Sequence, residues 1–220
     1  MGAGVFGLGI AWACTRRGAR VRVIEAAPAI GAGASGGLVG ALAPHAPEGW
    51  NDMKAFQFDS LMMAEDWWGG VEAASGRPTG YGRTGRLQPL ADAAAVSAAR
   101  ARAQGAAALW RGRAAWEVAR ATGAGWEPAS PSGWLVRDTA TARINPRLAL
   151  AALAAAIRAA GGEVTLGAGH ADGEGPTAGP VVWATGAAGL ADLSAALSQP
   201  VGGGQKGQAA LLAHAAPGAP

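Results

Sequence analysis

Residues 2–25 read GAGVFGLGIAWACTRRGARVRVIE, and the fold turns on this stretch. It opens on a G-x-G-x-x-G made by Gly2, Gly4 and Gly7. A helix-like run follows from Val5 to Arg17, with Gly18 placed as its C-terminal stop. Val21-Arg-Val-Ile-Glu25 comes next, a short β-rich run ending in an acid about 20 residues beyond the fingerprint. Each spacing has a physical reason in a dinucleotide-binding turn. Gly2 permits the tight turn, Gly4 lets a pyrophosphate approach the backbone, and Gly7 lets the helix pack closely on a sheet. The helix N-terminus offers unpaired N–H groups and a positive dipole end to phosphates. Glu25 is placed to accept hydrogen bonds from ribose hydroxyls. The competing reading is a buried Ala/Gly helix with incidental glycines. It does not account for Gly18, the strand and Glu25 falling in register. A buried hydrophobic strand is expected before such a fingerprint, and only Met1 stands there. That points to a mis-assigned start or a fragment.

Composition bounds the rest. The chain has 220 residues, half of them hydrophobic and 15% charged, which is enough to bury a core and excludes a wholly disordered protein. Its 36 glycines, its alanine excess and the preference for arginine over lysine read mainly as coding bias. One cysteine, Cys14, excludes an internal disulfide framework and a multi-cysteine metal site. His45, His170 and His214 have no metal-ligand spacing. The net charge of +3 is spread along the chain, without the dense basic stripe of a nucleic-acid surface. No run reaches the roughly 18–20 apolar residues of a membrane span. The cytoplasm is the simplest compartment.

Further along, residues 26–49 form a loop in which Gly33–Gly40 can bring backbone amides close to a ligand. A helix capped by Asn51 or Asp52 is expected to run to about Ala74. Its stripe of Phe56, Leu61, Met62, Met63, Trp67, Trp68 and Val71 reads as core. A strand is expected over Thr84–Leu90, and Ala-rich helices from Asp92 to about Thr122. Residues 123–133 read as a loop, followed by short strands at 134–137 and 142–145. Asn145 and Pro146 start a helix that ends at Gly161-Gly162. A strand follows at 163–166, then a polar Gly-rich stretch over 167–179. A short buried strand over 180–185 ends in a glycine turn at Gly186, and another helix spans 188–198. The Ala/Pro/Gly tail has no recognisable structural ending.

In this order and spacing the chain resembles the FAD-dependent amine oxidases of the D-amino-acid oxidase superfamily, and their glycine-oxidase branch most of all. The resemblance rests on residues 2–25, GASGGLVGALAPH, AFQFDSLMMAEDWWGGVEAASG, INPRLALAALAAAIRAAGGEV, and VVWATGAAGLADL with PVGGGQKGQ behind it. It implies an α/β fold: a Rossmann-like FAD-binding domain with an inserted partial α+β substrate domain, truncated at both ends. Residues 1–45 and 144–200 are then the two FAD-binding segments. Residues 46–143 are the helical and inserted substrate-domain segment, and 201–220 begin the truncated remainder. The family's later substrate strands, its carboxylate-binding arginine and its C-terminal glycine-rich motif have no counterpart here.

The resemblance also implies roles. Gly2, Gly4, Val5, Phe6, Gly7 and Glu25 would bind the ADP part of FAD. Ser35, Gly36, Gly37 and Leu38 would pass the pyrophosphate and flavin, with Thr185 and Gly186 at a second strand end. The implied reaction is oxidation of a small amine or amino acid by hydride transfer to flavin, with molecular oxygen or another electron acceptor completing the cycle. No catalytic residue is assigned and no oligomeric state is implied. His45, after the flavin loop, reads as a packing or solvated residue more than a flavin ligand. Arg83 and Arg86 read as surface charge more than substrate anchors, and Cys14 as a small buried residue. Glu117 and Glu127 are not expected to form a catalytic pair. Two other classes remain: a flavin- or nicotinamide-dependent dehydrogenase of another substrate class, and a truncated non-catalytic remnant.

Overall fold

The computed structural model describes residues 1–168 and 179–210. His170, His214, most of the Gly-rich stretch and the C-terminal tail lie outside them. The chain divides into two units. The first holds Met1–Gly40, Trp68–Gly80 and the described residues from Asn145 on; the second holds Ala41–Trp67 and Tyr81–Ile144.

In the first unit, α1 (Val5–Thr15) and β1 (Arg22–Glu25) follow the glycine turn. β1 pairs in parallel with β7 (Glu163–Leu166), Arg22 opposite Glu163 and Glu25 opposite Leu166. Parallel neighbours need a long crossover. Here the intervening chain returns through α4 (Pro146–Ala159), which packs on both α1 and β7. Asn145 explains where α4 starts: its Oδ1 accepts from the Arg147 and Leu148 N–H groups, and Pro146 follows with no N–H to satisfy. Leu150, Leu153 and Ile157 recur at helical spacing and are buried, with the alanines between them allowing close approach. α1 answers with buried Leu8, Ala11 and Trp12.

The second unit has the antiparallel sheet β3–β5–β4, from β3 (Arg86–Pro89), β4 (Trp116–Arg120) and β5 (Trp134–Asp138). A shorter antiparallel pair joins β2 (Ala41–Leu42) to β6 (Ala142–Arg143). α3 (Ala93–Leu109), capped by the Asp92 carboxylate accepting from Ala95 N–H, packs on β4. Phe58, Leu61, Met62, Val96, Trp110, Trp116 and Val136 make its core.

Several expectations need correcting. The helices expected from Asp92 to Thr122 stop at Leu109. Arg111 and Gly112 both take positive φ, so the chain turns and β4 follows. The second helix, α2 (Asp52–Ser75), runs as expected, but Phe56 is 78% exposed and Met63 is also exposed. Phe58 is buried instead. At 3.6 residues per turn, a side chain two positions away points roughly 200° round the helix, so Phe56 and Phe58 cannot share a face. The segment 180–185 is neither buried nor a regular strand, and Trp183 is 57% exposed. The segment bonds to Met1: the Met1 amine donates to Val182 O at 2.8 Å and Ala184 N–H donates to Met1 O at 2.9 Å. The helix after it, α5 (Gly186–Ala196), begins two residues earlier than expected.

Candidate functional site

The glycine turn lies beside β1 and enters α1 within three residues. Gly2 N–H donates to Ile24 O at 2.8 Å, and Gly2 sits at φ +94°, which a side chain rarely adopts. A Cβ on Gly2 would overlap the Ala184 carbonyl oxygen, and one on Gly7 would overlap the Gly2 carbonyl oxygen. The two glycines thus let three backbone segments meet: the turn, the first turn of α1, and the 184–186 corner. That contact brings Thr185 and Gly186 beside the fingerprint. Thr185 is the N-cap of α5 but makes no side-chain capping bond.

Gly4 caps α1 without a side chain of its own to accept from the first-turn N–H groups. The Val5 N–H donates to Ser35 Oγ at 3.0 Å, and a Cβ on Gly4 would lie 3.1 Å from that oxygen. Ser35 belongs to a single 3-10 turn, Ala34–Gly36, so the expected ligand loop is folded against the N-terminus of α1. Gly37 and Leu38 follow it and are exposed. Phe6, in the first turn of α1, is 77% exposed.

Glu25 closes the arrangement at the end of β1. Its Oε2 accepts from Ala3 N–H at 2.6 Å and its Oε1 from Ala27 N–H at 2.9 Å. An ionised carboxylate has about four acceptor positions, so two remain for hydroxyl donors. The site therefore combines anion-binding backbone with a carboxylate held at a fixed distance along β1. That combination suits a diphosphate joined to a ribose. At Gly2, Gly4 and Gly7 a Cβ would press on the Ala184 carbonyl, Ser35 Oγ and the Gly2 carbonyl, so the backbone of this turn packs closely only with glycine at these positions.

Other singled-out residues fall elsewhere. His45 is exposed, and its backbone N–H donates to Gln57 Oε1 at 3.1 Å. Arg86 Nε binds the fully buried Asp138 carboxylate at 3.0 Å. Arg83 donates to the Leu61 and Met62 carbonyls of α2 at 3.1 and 3.3 Å. Both arginines thus serve the second unit's framework. Cys14 is half-buried on α1. Glu127 accepts from Thr122 and Gly123 N–H groups, bonds that hold its carboxyl below the usual range, while Glu117 is exposed on β4. Among the described residues no group of acidic, His or Cys side chains could hold a metal, and no helix is long and apolar enough to cross a membrane. Sequence reasoning missed Arg147, whose Nε donates to Gly36 O at 3.0 Å. A cavity of about 420 Å³ opens beside it, lined by Ile30, Gly31, Gly36, Arg147, Leu150 and Ala151 among others.

Comparison with known proteins places this geometry in context. The family described as FAD dependent oxidoreductase, DAO, matches residues 1–219. A Rhizobium etli protein named for thiamine biosynthesis as the oxidoreductase ThiO is 39% identical over 93 residues, 36% of this chain and 27% of that protein. Glycine oxidase from Geobacillus kaustophilus superposes with a TM-score of 0.58 at 19% identity, over 76% of this chain and 45% of that one. Iminodiacetate oxidase from Chelativorans sp. BNC1 gives 0.60 at 21% identity, over 75% and 45%. These structures share the fold with this chain. The chain spans less than half the length of each of these three relatives.

Proposed function

The chain belongs to the DAO family of FAD-dependent oxidoreductases, and on that premise we propose that its first unit holds FAD in a protein that oxidises the C–N bond of a small amino acid. Glycine, sarcosine and D-amino acids are the substrates proposed, as in the glycine-oxidase branch. FAD is the cofactor of the family, and the observation that carries its placement here is the glycine turn beside a carboxylate already held by two amides.

In this reading Gly2, Gly4, Val5, Phe6 and Gly7 border the pyrophosphate at the N-terminus of α1, where the helix dipole favours negative charge. Glu25 accepts from the adenosine ribose with its remaining lone pairs. Ser35, Gly36, Gly37 and Leu38 line the path toward the flavin, and Thr185 and Gly186 border it from the α5 side. When bound, FAD would accept the α-hydrogen of the amine as hydride and pass the electrons to oxygen or another acceptor, leaving an imine for water to hydrolyse. The chain's own residues bind and orient, and no proton-transfer residue is assigned. The second unit is proposed as part of an inserted substrate domain, and the cytoplasm as the compartment.

The test is a titration of the purified chain with FAD, FMN and NAD, followed by anaerobic addition of glycine, sarcosine or D-alanine. Stoichiometric FAD binding is expected, with FMN weaker because it lacks the ADP part. Bleaching of the bound flavin by one of the amines would support amine oxidation, and peroxide on admitting air would mark an oxidase. Absence of FAD binding would overturn the reading. Preference for NAD would move the chain to the nicotinamide dehydrogenases.

A further inference from the structure

Arg147 stands in the first turn of α4, directly after Pro146. A cation there lies at the positive end of the helix dipole, which disfavours it. The residue is exposed, so burial does not explain its type. Its Nε reaches across 111 residues of sequence to the Gly36 carbonyl oxygen, 3.0 Å away. Gly36 is the last residue of the turn Ala34–Gly36, and the last carbonyls of a helical turn have no partner within it. A cation misplaced on α4 is therefore well placed on this turn, whose negative end it closes.

The turn has two other supports. Gly36 lies so close to Gly31 that a Cβ would overlap the Gly31 carbonyl oxygen. Ser35 accepts the Val5 N–H at the start of α1. The first is backbone contact without direction, and the second is the contact at the cofactor end itself. Arg147 is the directional bond that ties the turn to the long, buried frame of α4.

We propose that Arg147 is a positioning residue of the FAD site: by closing the Gly36 carbonyl it fixes Ser35, and with it Gly37 and Leu38, against the phosphate-facing end of α1. The proposal rests on the FAD reading above and adds a residue outside the glycine fingerprint. Its test uses side-chain length. In glutamine, Nε2 is the same number of bonds from Cα as Nε in arginine, so R147Q keeps the donor and loses the charge. R147M has matching length and no donor.

FAD dissociation constants are measured for both, with melting curves to confirm folding. R147M is expected to weaken FAD by about tenfold, the scale of one lost hydrogen bond to a backbone acceptor, and R147Q by less than about threefold. Equal weakening in both would mean that the charge acts without the carbonyl, and would overturn the proposal. So would affinities unchanged in both. If R147M does not fold, R147K replaces it: its charge sits one atom farther out with no donor at the Nε position, and it should also weaken FAD. Amide hydrogen exchange at Ser35 and Gly36 in the cofactor-free chain supplies a readout independent of FAD. Faster exchange in R147M than in R147Q is expected, and equal rates would overturn the proposal. A wild-type chain that binds no FAD would sink the functional reading while leaving this exchange comparison to decide on Arg147.

Discussion

Asp138 has no exposed surface, yet it is a carboxylate at the end of the sheet's central strand. Its charge is tolerable because Arg86 Nε reaches Oδ2 at 3.0 Å and Thr141 N–H reaches Oδ1 at 2.8 Å. Truncating one partner of such a pair removes attraction but not the other partner's desolvation. Asp138→Ala should therefore cost about 3 kcal/mol, read from the denaturant midpoint at constant slope. The glycines of α1 offer a sharper contrast. A Cβ at Gly7 meets the Gly2 carbonyl, whereas one at Gly9 meets nothing within 4 Å. G7A should destabilise by about 1–3 kcal/mol through overpacking and weaken FAD. G9A, two residues on, should stabilise by up to about 1 kcal/mol as a plain helix-interior exchange. If both behaved alike in thermal melts, the close packing of the turn on α1 would not be its cause.

Among elements, α2 shows how one side chain secures the end of a helix. Glu72 Oε1 accepts from both Thr79 N–H and Thr79 Oγ1 at 2.7 Å, and these bonds hold its carboxyl below the usual value. A lowered folded value contributes stability above the unfolded pKa and loses it as pH falls through the folded one. The difference in stability between wild type and Glu72→Gln should thus be constant at neutral pH and shrink below about pH 4.3. A difference that grew on acidification would contradict the assignment. At α4, Asn145→Ala should cost about 1 kcal/mol by removing the acceptor of two first-turn N–H groups.

The sequence announced α4 and β7 because cap, periodic leucines and Gly161-Gly162 all agreed on the same boundaries. It concealed β4, whose Trp116–Arg120 follows an alanine run indistinguishable in pattern from the helix before it. The fingerprint positions were legible because backbone chemistry there demands glycine. Arg147 was not, because its role depends on a carbonyl 111 residues away. The Glu25 bonds to Ala3 and Ala27 were hidden for a similar reason: amides carry no signature in side-chain type.

For the molecule as a whole, any ligand that binds only the folded state stabilises it by mass action. FAD at one hundred times its dissociation constant should add about 2.7 kcal/mol. Hydrogen exchange should show that protection centred on Gly2–Gly7 and Ala34–Gly36 in the first unit, and protection confined to the second unit would argue against the site.

The aromatic residues add a separate consequence. Phe58 stacks on Trp110 with centroids 5.5 Å apart and planes 13° from parallel, and Trp110 meets Trp116 edge-on at 6.1 Å. Arg100 and Arg120 lie over the Trp134 ring at 4.3 and 4.5 Å. Of the nine tryptophans, only Trp12, Trp68 and Trp183 fall in the first unit. Rigid indoles this close couple their electronic transitions, so the near-ultraviolet circular dichroism of the chain is largely a spectrum of the second unit. Followed beside flavin fluorescence, it gives each unit its own optical channel, and the order in which the two channels fade on heating can be read from a single sample.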